Sequence, residues 1–339
     1  GVKGDVTFGT LTTLEESPLK FGLLYTGSDD GLVYVSKDAG YNWEKISDNL
    51  PQNLWVSQVY PSKFNEGTVY VSLNGYRYDN FNAYVYMSKD YGKTWTKLGN
   101  NLPAEPVNVI KEDLENKNIL YVGTDNGLYV SLNQGQTFER FGKSLPAVAV
   151  HDLVIHPREK DIIVATHGRS LYKASLKELQ LVTDSVLNKP LSLFELESVN
   201  YSTSWGRRMF SGEFFEPTFK IPYFTNKKGT AVITISSQNG TILQTIIDNA
   251  EKGLNYATYT FAFDQKKAVD LQKELKVSAI NTAESGQTYL PAGKYKVTLQ
   301  IGNYTATQML DLVVNTRGQR SFEPEPKSVP DEKKVKAKK

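Results

Sequence analysis

Cysteine is absent from the 339 residues, and histidine occurs only three times. The first absence excludes a disulfide scaffold, a thiolate nucleophile and Cys-ligated zinc or iron–sulfur centres. The scarcity of histidine leaves little for a His-rich metal site, so no metal and no cofactor is expected. Long apolar runs are missing as well: nothing approaches the ~20 residues of a membrane-spanning helix, and no secretory leader is visible. Net charge is almost absent, with 39 Lys+Arg against 37 Asp+Glu. The small excess is terminal. Residues 327–339 hold six Lys and two acids, Glu323 and Glu325 precede them, and residues 1–320 sum to zero. A neutral body lacks the concentrated basic face that nucleic-acid binding requires. The missing Cys leaves the compartment open.

Tyrosine is plentiful, with 20 copies, and it falls in a repeat. Three segments align: SKDAGYNW (36–43), SKDYGKTW (88–95) and SLNQGQTF (131–138). Their shared pattern is Ser-x-Asp/Asn-x-Gly-x-x-aromatic. Each closes an alternating strand (GLVYVS, AYVYMS, GLYVS), and a second strand precedes that one (LLYTGS, TVYVSLN, ILYVGT). A Pro-containing turn ends each unit (49–51, 101–103, 144–146), and WVSQVY, VNVIKE or VHDLVIH leads into the next. A fourth unit pairs DIIVAT with SLYKAS and has no box. Alternation with period two is a strand signal. Four strands per unit and roughly 40–50 residues per repeat suit β-propeller blades. The expected fold is therefore all-β, with about four blades in residues 1–176.

Residues 177–195 read as a linker or short helix. Strands are expected at 219–224, 230–237, 241–247, 256–263, 294–301 and 305–314, which together suit a β-sandwich of Ig-like size over 196–317. Residues 265–276 are expected to hold a helical turn or two, and the Glu/Pro/Lys-rich tail, 318–339, is expected to be disordered.

The boxes have a mechanical explanation. Ser36, Asp38, Ser88, Asp90, Ser131 and Asn133 can bond to turn backbone. Gly40, Gly92 and Gly135 supply a positive φ, and Trp43, Trp95 and Phe138 can pack between blades. The site is expected at the other end, on the loops between second and third strands: 27–31, 74–83, 124–127 and 166–169. Box spacing is 52 residues from Asp38 to Asp90 and 43 from Asp90 to Asn133, so the second loop carries an insertion. There Tyr76, Arg77, Tyr78 and Phe81 offer stacking platforms and charge for a sugar or protein surface, or alternatively pack on the neighbouring blade. His167 and Arg169 belong to the fourth loop. Asp29, Asp30, Asp79 and Asp125 are weak candidates for an acid/base pair. Their alternative role is turn chemistry, because Asp-Asp-Gly and Asp-Asn-Gly are ordinary hairpin turns. His151 reads as a satisfied structural histidine.

The boxes resemble the Asp-boxes (BNR repeats) of sialidases, xyloglucanase-type glycosidases and the sortilin propeller. Segments 4–40, 73–81, 107–113, 150–159 and 165–172 are most similar to a bacterial group labelled "glycosyl hydrolase, BNR repeat", built on sortilin-like propellers. Residues 252–264 and 290–302 resemble the Ig-like domain, similar to that of the flagellar hook cap, that commonly follows such propellers. That family reads Gly-Leu-Asn-x-x-x-Trp-Asp where this chain departs, over Phe261–Asp264. The resemblance implies more than four blades. The chain is thus expected to be part of a larger propeller, or to close with a partner protein, at an extracellular, periplasmic or cell-surface location. It implies either a non-catalytic module binding protein or glycan, or a glycosidase with a carboxylate pair. Residues 1–176 hold only Arg77, Arg140, Arg158 and Arg169 and no Phe-Arg-Ile-Pro motif, which disfavours a sialidase.

Overall fold

The fold is described from a computed structural model, over residues 9–142 and 145–314. The tail from 318 and Ser144 of the third Pro-turn lie outside the described residues. The chain divides into two units, residues 1–189 and 190–339, both built largely from antiparallel strands.

The first unit holds four blades. Blade 1 is β1 (Leu11–Glu16), β2 (Leu24–Ser28), β3 (Val33–Ser36) and β4 (Glu44–Lys45). Blade 2 is β5 (Trp55–Pro61), β6 (Val69–Gly75), β7 (Asn80–Ser88) and β8 (Thr96–Lys97). Blade 3 is β9 (Val107–Glu112), β10 (Leu120–Thr124), β11 (Gly127–Ser131) and β12 (Glu139–Arg140). Blade 4 has three strands, β13 (Val150–His156), β14 (Asp161–Thr166) and β15 (Leu171–Ser175). In every sheet the strands lie in chain order, so each pair is joined by a hairpin. The architecture is all-β, and the repeated sheets are propeller blades.

The blades share one register. Gly27, Ser72, Gly123 and Ala165 hold the same position of the second strand; Tyr25, Tyr70, Tyr121 and Ile163 hold the next position on that face. On the opposite face Tyr34, Tyr86, Tyr129 and Tyr172 are equivalent. A Cβ on Gly27 would fall 2.3 Å from Val56 Cγ1, and one on Gly123 2.7 Å from Val150 Cγ1. The missing side chain lets the next blade's innermost strand press against the sheet. Tyr25, Val33 and Val35 of blade 1 thus share a core with Val56, Val59 and Val71 of blade 2. Tyr70 and Val85 of blade 2 share one with Ile110 and Val122 of blade 3. Two of these tyrosines also satisfy buried acids. The Tyr70 hydroxyl donates to Glu112 Oε1 at 2.9 Å, and Tyr121 donates to Asp113 Oδ2 at 2.9 Å. The buried Tyr25 hydroxyl has no partner.

In the three box turns Ser36, Ser88 and Ser131 accept the N–H of Gly40, Gly92 and Gly135 at 2.8, 2.7 and 2.8 Å. Asp38, Asp90 and Asn133 accept the N–H four residues on. The residue before each glycine is also left-handed: Ala39, Tyr91 and Gln134 have φ of 58°, 61° and 55°. Trp95 Nε1 reaches back to the Ile46 carbonyl of blade 1 at 2.8 Å, and Phe138 is buried against Gly99, beyond β8. Trp43 instead bonds the Gly40 carbonyl of its own turn.

Blade 4 keeps Ser175 at the box-serine position, but the chain then runs into α1 (Lys177–Gln180) and α2 (Asp184–Leu187). Of the two alternatives expected for 177–195, linker or short helix, the chain takes the helical one over these two turns. Asn116 Nδ2 donates to the carbonyls of Gln180 and Val182, and Asn118 Nδ2 to Asp184.

In the second unit β16 (Leu191–Leu193), β18 (Phe219–Thr225) and β21 (Gly253–Tyr259) form one sheet. The other sheet runs β17 (Val199–Tyr201), β25 (Tyr304–Val314), β24 (Gly293–Ile301), β19 (Gly229–Ser236), β20 (Ile242–Ala250). Ile221, Tyr223, Ile233, Val297, Leu299 and Leu310 are core residues of the unit. A small ladder joins β22 (Ala262–Phe263) to β23 (Thr288–Tyr289), and α3 (Ala268–Leu275) lies between them in sequence. The strand expected unbroken over 256–263 breaks at Phe261, which takes φ 60° and stacks on Trp205 at 4.9 Å.

Candidate functional site

The innermost strand of every blade carries a bulge at one place: between Leu11 and Thr13, Val56 and Gln58, Val107 and Val109, Val150 and Asp152. A bulge re-aims the extra residue, here Thr12, Ser57, Asn108 and His151. Thr12 Oγ1 donates to the Val56 carbonyl of blade 2 at 2.7 Å, and Ser57 Oγ to the Val107 carbonyl of blade 3 at 2.8 Å. Asn108 Nδ2 donates to Asp125 Oδ1, while Asn108 Oδ1 accepts from Asn74 Nδ2, both at 2.9 Å. The His151 ring lies 5.3 Å from that of His167. His151 is exposed.

A second polar residue per blade sits at the end of the second strand or just beyond it: Asn74 within β6, and Asp29, Asp125 and His167 directly after β2, β10 and β14. Three of them donate their backbone N–H to the residue just before the innermost strand, at Thr10, Pro106 and Ala149. Each blade therefore delivers two polar side chains to the end of the sheets opposite the boxes.

Three of the four candidate acids accept hydrogen bonds from nearby strands and loops, and Asp79 is placed by its backbone. Asp29 is buried; its Oδ1 accepts from the N–H of Gly9 at 2.7 Å and of Thr10 at 2.8 Å. Asp30 accepts from the Ser28 hydroxyl, and Asp125 from Asn108. Asp79 closes the 3-10 turn Tyr76–Tyr78 with φ 53°. The inserted segment 74–83 extends the β6–β7 hairpin, with Gly75 paired to Asn80. On it the Arg77 guanidinium lies 4.9 Å over the Trp55 ring and 4.0 Å from Asp29 Oδ2. Trp55 Nε1 is buried without a partner. Tyr76 and Phe81 meet edge-on at 6.1 Å, and both remain exposed, as does Tyr78. Arg169 is exposed on the blade 4 loop.

The innermost strands also bring charges together midway. Burial pushes the Glu15 carboxyl above its ordinary range; Lys111 opposes the shift and Asp152 adds to it. Lys111 Nζ stands 4.0 Å from Asp152 Oδ1 and 5.4 Å over the Tyr60 ring. Burial, with a contribution from Glu112, pushes the Tyr60 hydroxyl up to about 12. Among the described residues no group of three His, Asp or Glu is placed to hold a metal ion. The second unit has a polar cleft of about 360 Å³ lined by Tyr201, Trp205, Arg207 and Glu284 among others.

Reading single segments misses Trp55, Asn108 and Glu15. A signal for the bulge residues exists: stacking the four innermost strands places Thr12, Ser57, Asn108 and His151 in one column.

These features define a propeller module with a polar, aromatic-edged loop face. A family model is consistent with that class. The family Sortilin-Vps10 (Sortilin, neurotensin receptor 3) matches residues 83–209, and the architecture is that of a sortilin-like β-propeller. No curated protein matches the chain. Among solved structures, YCF48 bound to D1 peptide is similar at 15% identity and a TM-score of 0.39, over 50% of this chain and 52% of that one. The GH74 xyloglucanase from Xanthomonas campestris is similar at 10% identity and a TM-score of 0.41, over 89% of this chain and 47% of that one. The GH74 enzyme of Niastella koreensis is similar at 12% identity and a TM-score of 0.40, over 88% of this chain and 65% of that one. The chain spans about half the length of the first structures it matches. No helix among the described residues is long and apolar enough to cross a membrane.

Proposed function

We propose that the chain is a non-catalytic module of a larger exported or cell-surface protein or assembly. In this reading its blades are Asp-box blades, its second unit is Ig-like, and its loop face binds a protein or glycan. The observation that carries the reading is the contrast on that face. Asp29, Asp30 and Asp125 are spent on loop hydrogen bonds, whereas Tyr76, Tyr78 and Phe81 stand exposed beside Arg77. Exposed rings next to a guanidinium suit recognition more than proton transfer. The test is a glycan array and a peptide array probed with the chain and with Tyr76→Ala/Tyr78→Ala and Arg77→Ala. Loss of a hit with unchanged melting temperature supports the reading; a lowered melting temperature with the hit retained assigns those residues to packing.

A glycosidase is the second reading, and one observation favours it. Glu15, its carboxyl raised by burial, lies near the charge of Asp152, and a raised acid beside a second carboxylate is how such enzymes divide acid and base roles. Reducing-sugar release from a polysaccharide panel, abolished by Glu15→Gln, would establish it.

A further inference from the structure

Two loops of the second unit enclose its polar cleft of about 360 Å³. Residues 202–218 join β17 to β18, and residues 276–287 join α3 to β23. The loops are pinned together at Gly206. Its φ is 73°, and a Cβ there would fall 2.6 Å from both Ala283 Cβ and Ser285 Oγ. The Ser285 N–H donates to the Gly206 carbonyl at 2.9 Å, and the Arg208 N–H donates to Glu284 Oε2 at 3.1 Å.

Three aromatic rings line the cleft: Tyr201, Trp205 and Tyr289. Trp205 lies flat on Phe261, with ring centroids 4.9 Å apart and planes 8° from parallel. It meets Tyr201 and Tyr289 edge-on, at 5.4 and 6.2 Å. Phe261 holds this stack from a left-handed φ of 60°. A bulky residue rarely adopts that angle, and strain of this kind gathers at ligand sites. Polar side chains supply much of the remaining lining. Among the described residues, Thr203, Arg207 and Asn281 are exposed and their side chains have no hydrogen-bond or ion-pair partner. Thr282, by contrast, is engaged with Gln265 and Thr288. Arg207 and Glu284 are the charged residues of the lining, one of each sign.

We propose that this cleft binds a neutral saccharide. A sugar ring carries hydroxyls that both donate and accept, together with C–H faces that pack on aromatic rings. The lining answers both features. Arg207 donates, Glu284 accepts, and Thr203 and Asn281 do either, beside the three rings. The two opposite charges cancel, so an acidic sugar gains no net attraction. A peptide is held through its main chain at a strand edge or by apolar anchors in a groove, whereas this lining lies almost entirely in loops and is largely polar. The volume, about 360 Å³, falls within the ~300–1,000 Å³ of small-molecule sites, room for roughly one or two sugar rings. The cleft lies wholly in the second unit and shares no residue with the loop face of the blades, so it stands or falls apart from the function proposed above.

The test probes the full chain on a printed array of neutral and uronate-containing glycans, and titrates each hit with the free oligosaccharide by calorimetry. A neutral hit is expected. Its dissociation constant should rise about tenfold in Arg207→Ala and in Asn281→Ala, each of which removes hydrogen-bonding groups from the cleft. Glu284→Gln should weaken it as well, although it keeps an acceptor for the Arg208 N–H. Melting temperatures should match wild type, and the three separate positions keep the test valid if one substitution disturbs its loop. Tyr76→Ala/Tyr78→Ala should leave this affinity unchanged. The absence of any neutral hit, binding confined to uronates, or a neutral hit that all three cleft variants retain would each overturn the proposal. A hit retained by the cleft variants and lost in Tyr76→Ala/Tyr78→Ala belongs to the loop face and supports only the function proposed above.

Discussion

The three equivalent tyrosines Tyr25, Tyr70 and Tyr121 provide a controlled experiment that the fold has already set up. They share one register position, but their hydroxyls differ in environment. Glu112 is buried, and its carboxylate accepts from the Ser62 hydroxyl, the Lys63 N–H and the Tyr70 hydroxyl. Burial nevertheless pushes the Glu112 carboxyl above its ordinary range. A hydrogen bond to a charged acceptor contributes about 1.5–3 kcal/mol. For a unit of this size each kcal/mol moves the melting temperature by about 2–4 °C, so Tyr70→Phe should lower it by about 3–12 °C at pH 7. Tyr25→Phe removes a buried hydroxyl without a partner, so it should be neutral or slightly stabilising. The pH dependence has a fixed sign. A carboxyl raised on folding contributes stability below its unfolded pKa and loses that contribution as pH rises through its folded value. Tyr70→Phe removes a donor that favours the ionised form, so its penalty is full at pH 7. As pH falls and Glu112 takes up a proton, the penalty shrinks toward the ~0.5–1.5 kcal/mol of a neutral bond. Thermal melts followed by tryptophan fluorescence suit the measurement, because Trp43, Trp55 and Trp95 report the first unit and only Trp205 the second. Equal losses for Tyr25→Phe and Tyr70→Phe, or a Tyr70→Phe loss independent of pH, would refute the reasoning.

Three further outcomes follow from the same geometry. Gly123→Val should destabilise by roughly 1–3 kcal/mol through overpacking, since a Cβ there would lie 2.5 Å from Val109 Cγ1; Ala165→Val at the equivalent position of blade 4, where its cross-strand neighbour Leu171 is exposed, should stay within about 0.5 kcal/mol in urea melts. Bonds from the Thr94 hydroxyl and N–H hold the Asp90 carboxyl down at about 2. Its contribution is present above the unfolded carboxylate pKa and lost as pH falls through the folded value, so an Asp90→Asn difference of about 0–1 kcal/mol should close between pH 4 and 2. Trp95→Phe, which removes the bond to Ile46, should cost about 1 kcal/mol and more than Trp43→Phe, as compared by chemical denaturation.

The blades were legible because their signals are local. Alternating Tyr and Val mark strands, and the Ser-x-Asp-x-Gly turns fix where a sheet reverses. The insertion was legible as a length, 52 against 43, but its folding into a longer hairpin ending at Asp79 was not. The polar rim was harder to see, since it depends on backbone register. Asn108 and His151 look like ordinary strand residues until a bulge in each innermost strand turns them outward. Trp55 and Arg77 are 22 positions apart, and only the hairpin lays one over the other. In the second unit β16 and β17 are three residues each, too short for periodicity to register.

The order of the blades also sets how the molecule should breathe. Among the described residues blades 2 and 3 each meet a blade on both sides, whereas blades 1 and 4 each meet one. In a linear array coupled to nearest neighbours, unravelling starts at the termini and moves inward. Amide hydrogen exchange should therefore grade along the sequence, slowest in β6 and β10 and faster in β2 and β14. Exchange in β2 and β14 as slow as in β6 and β10 would show that these two blades are held as firmly as the others.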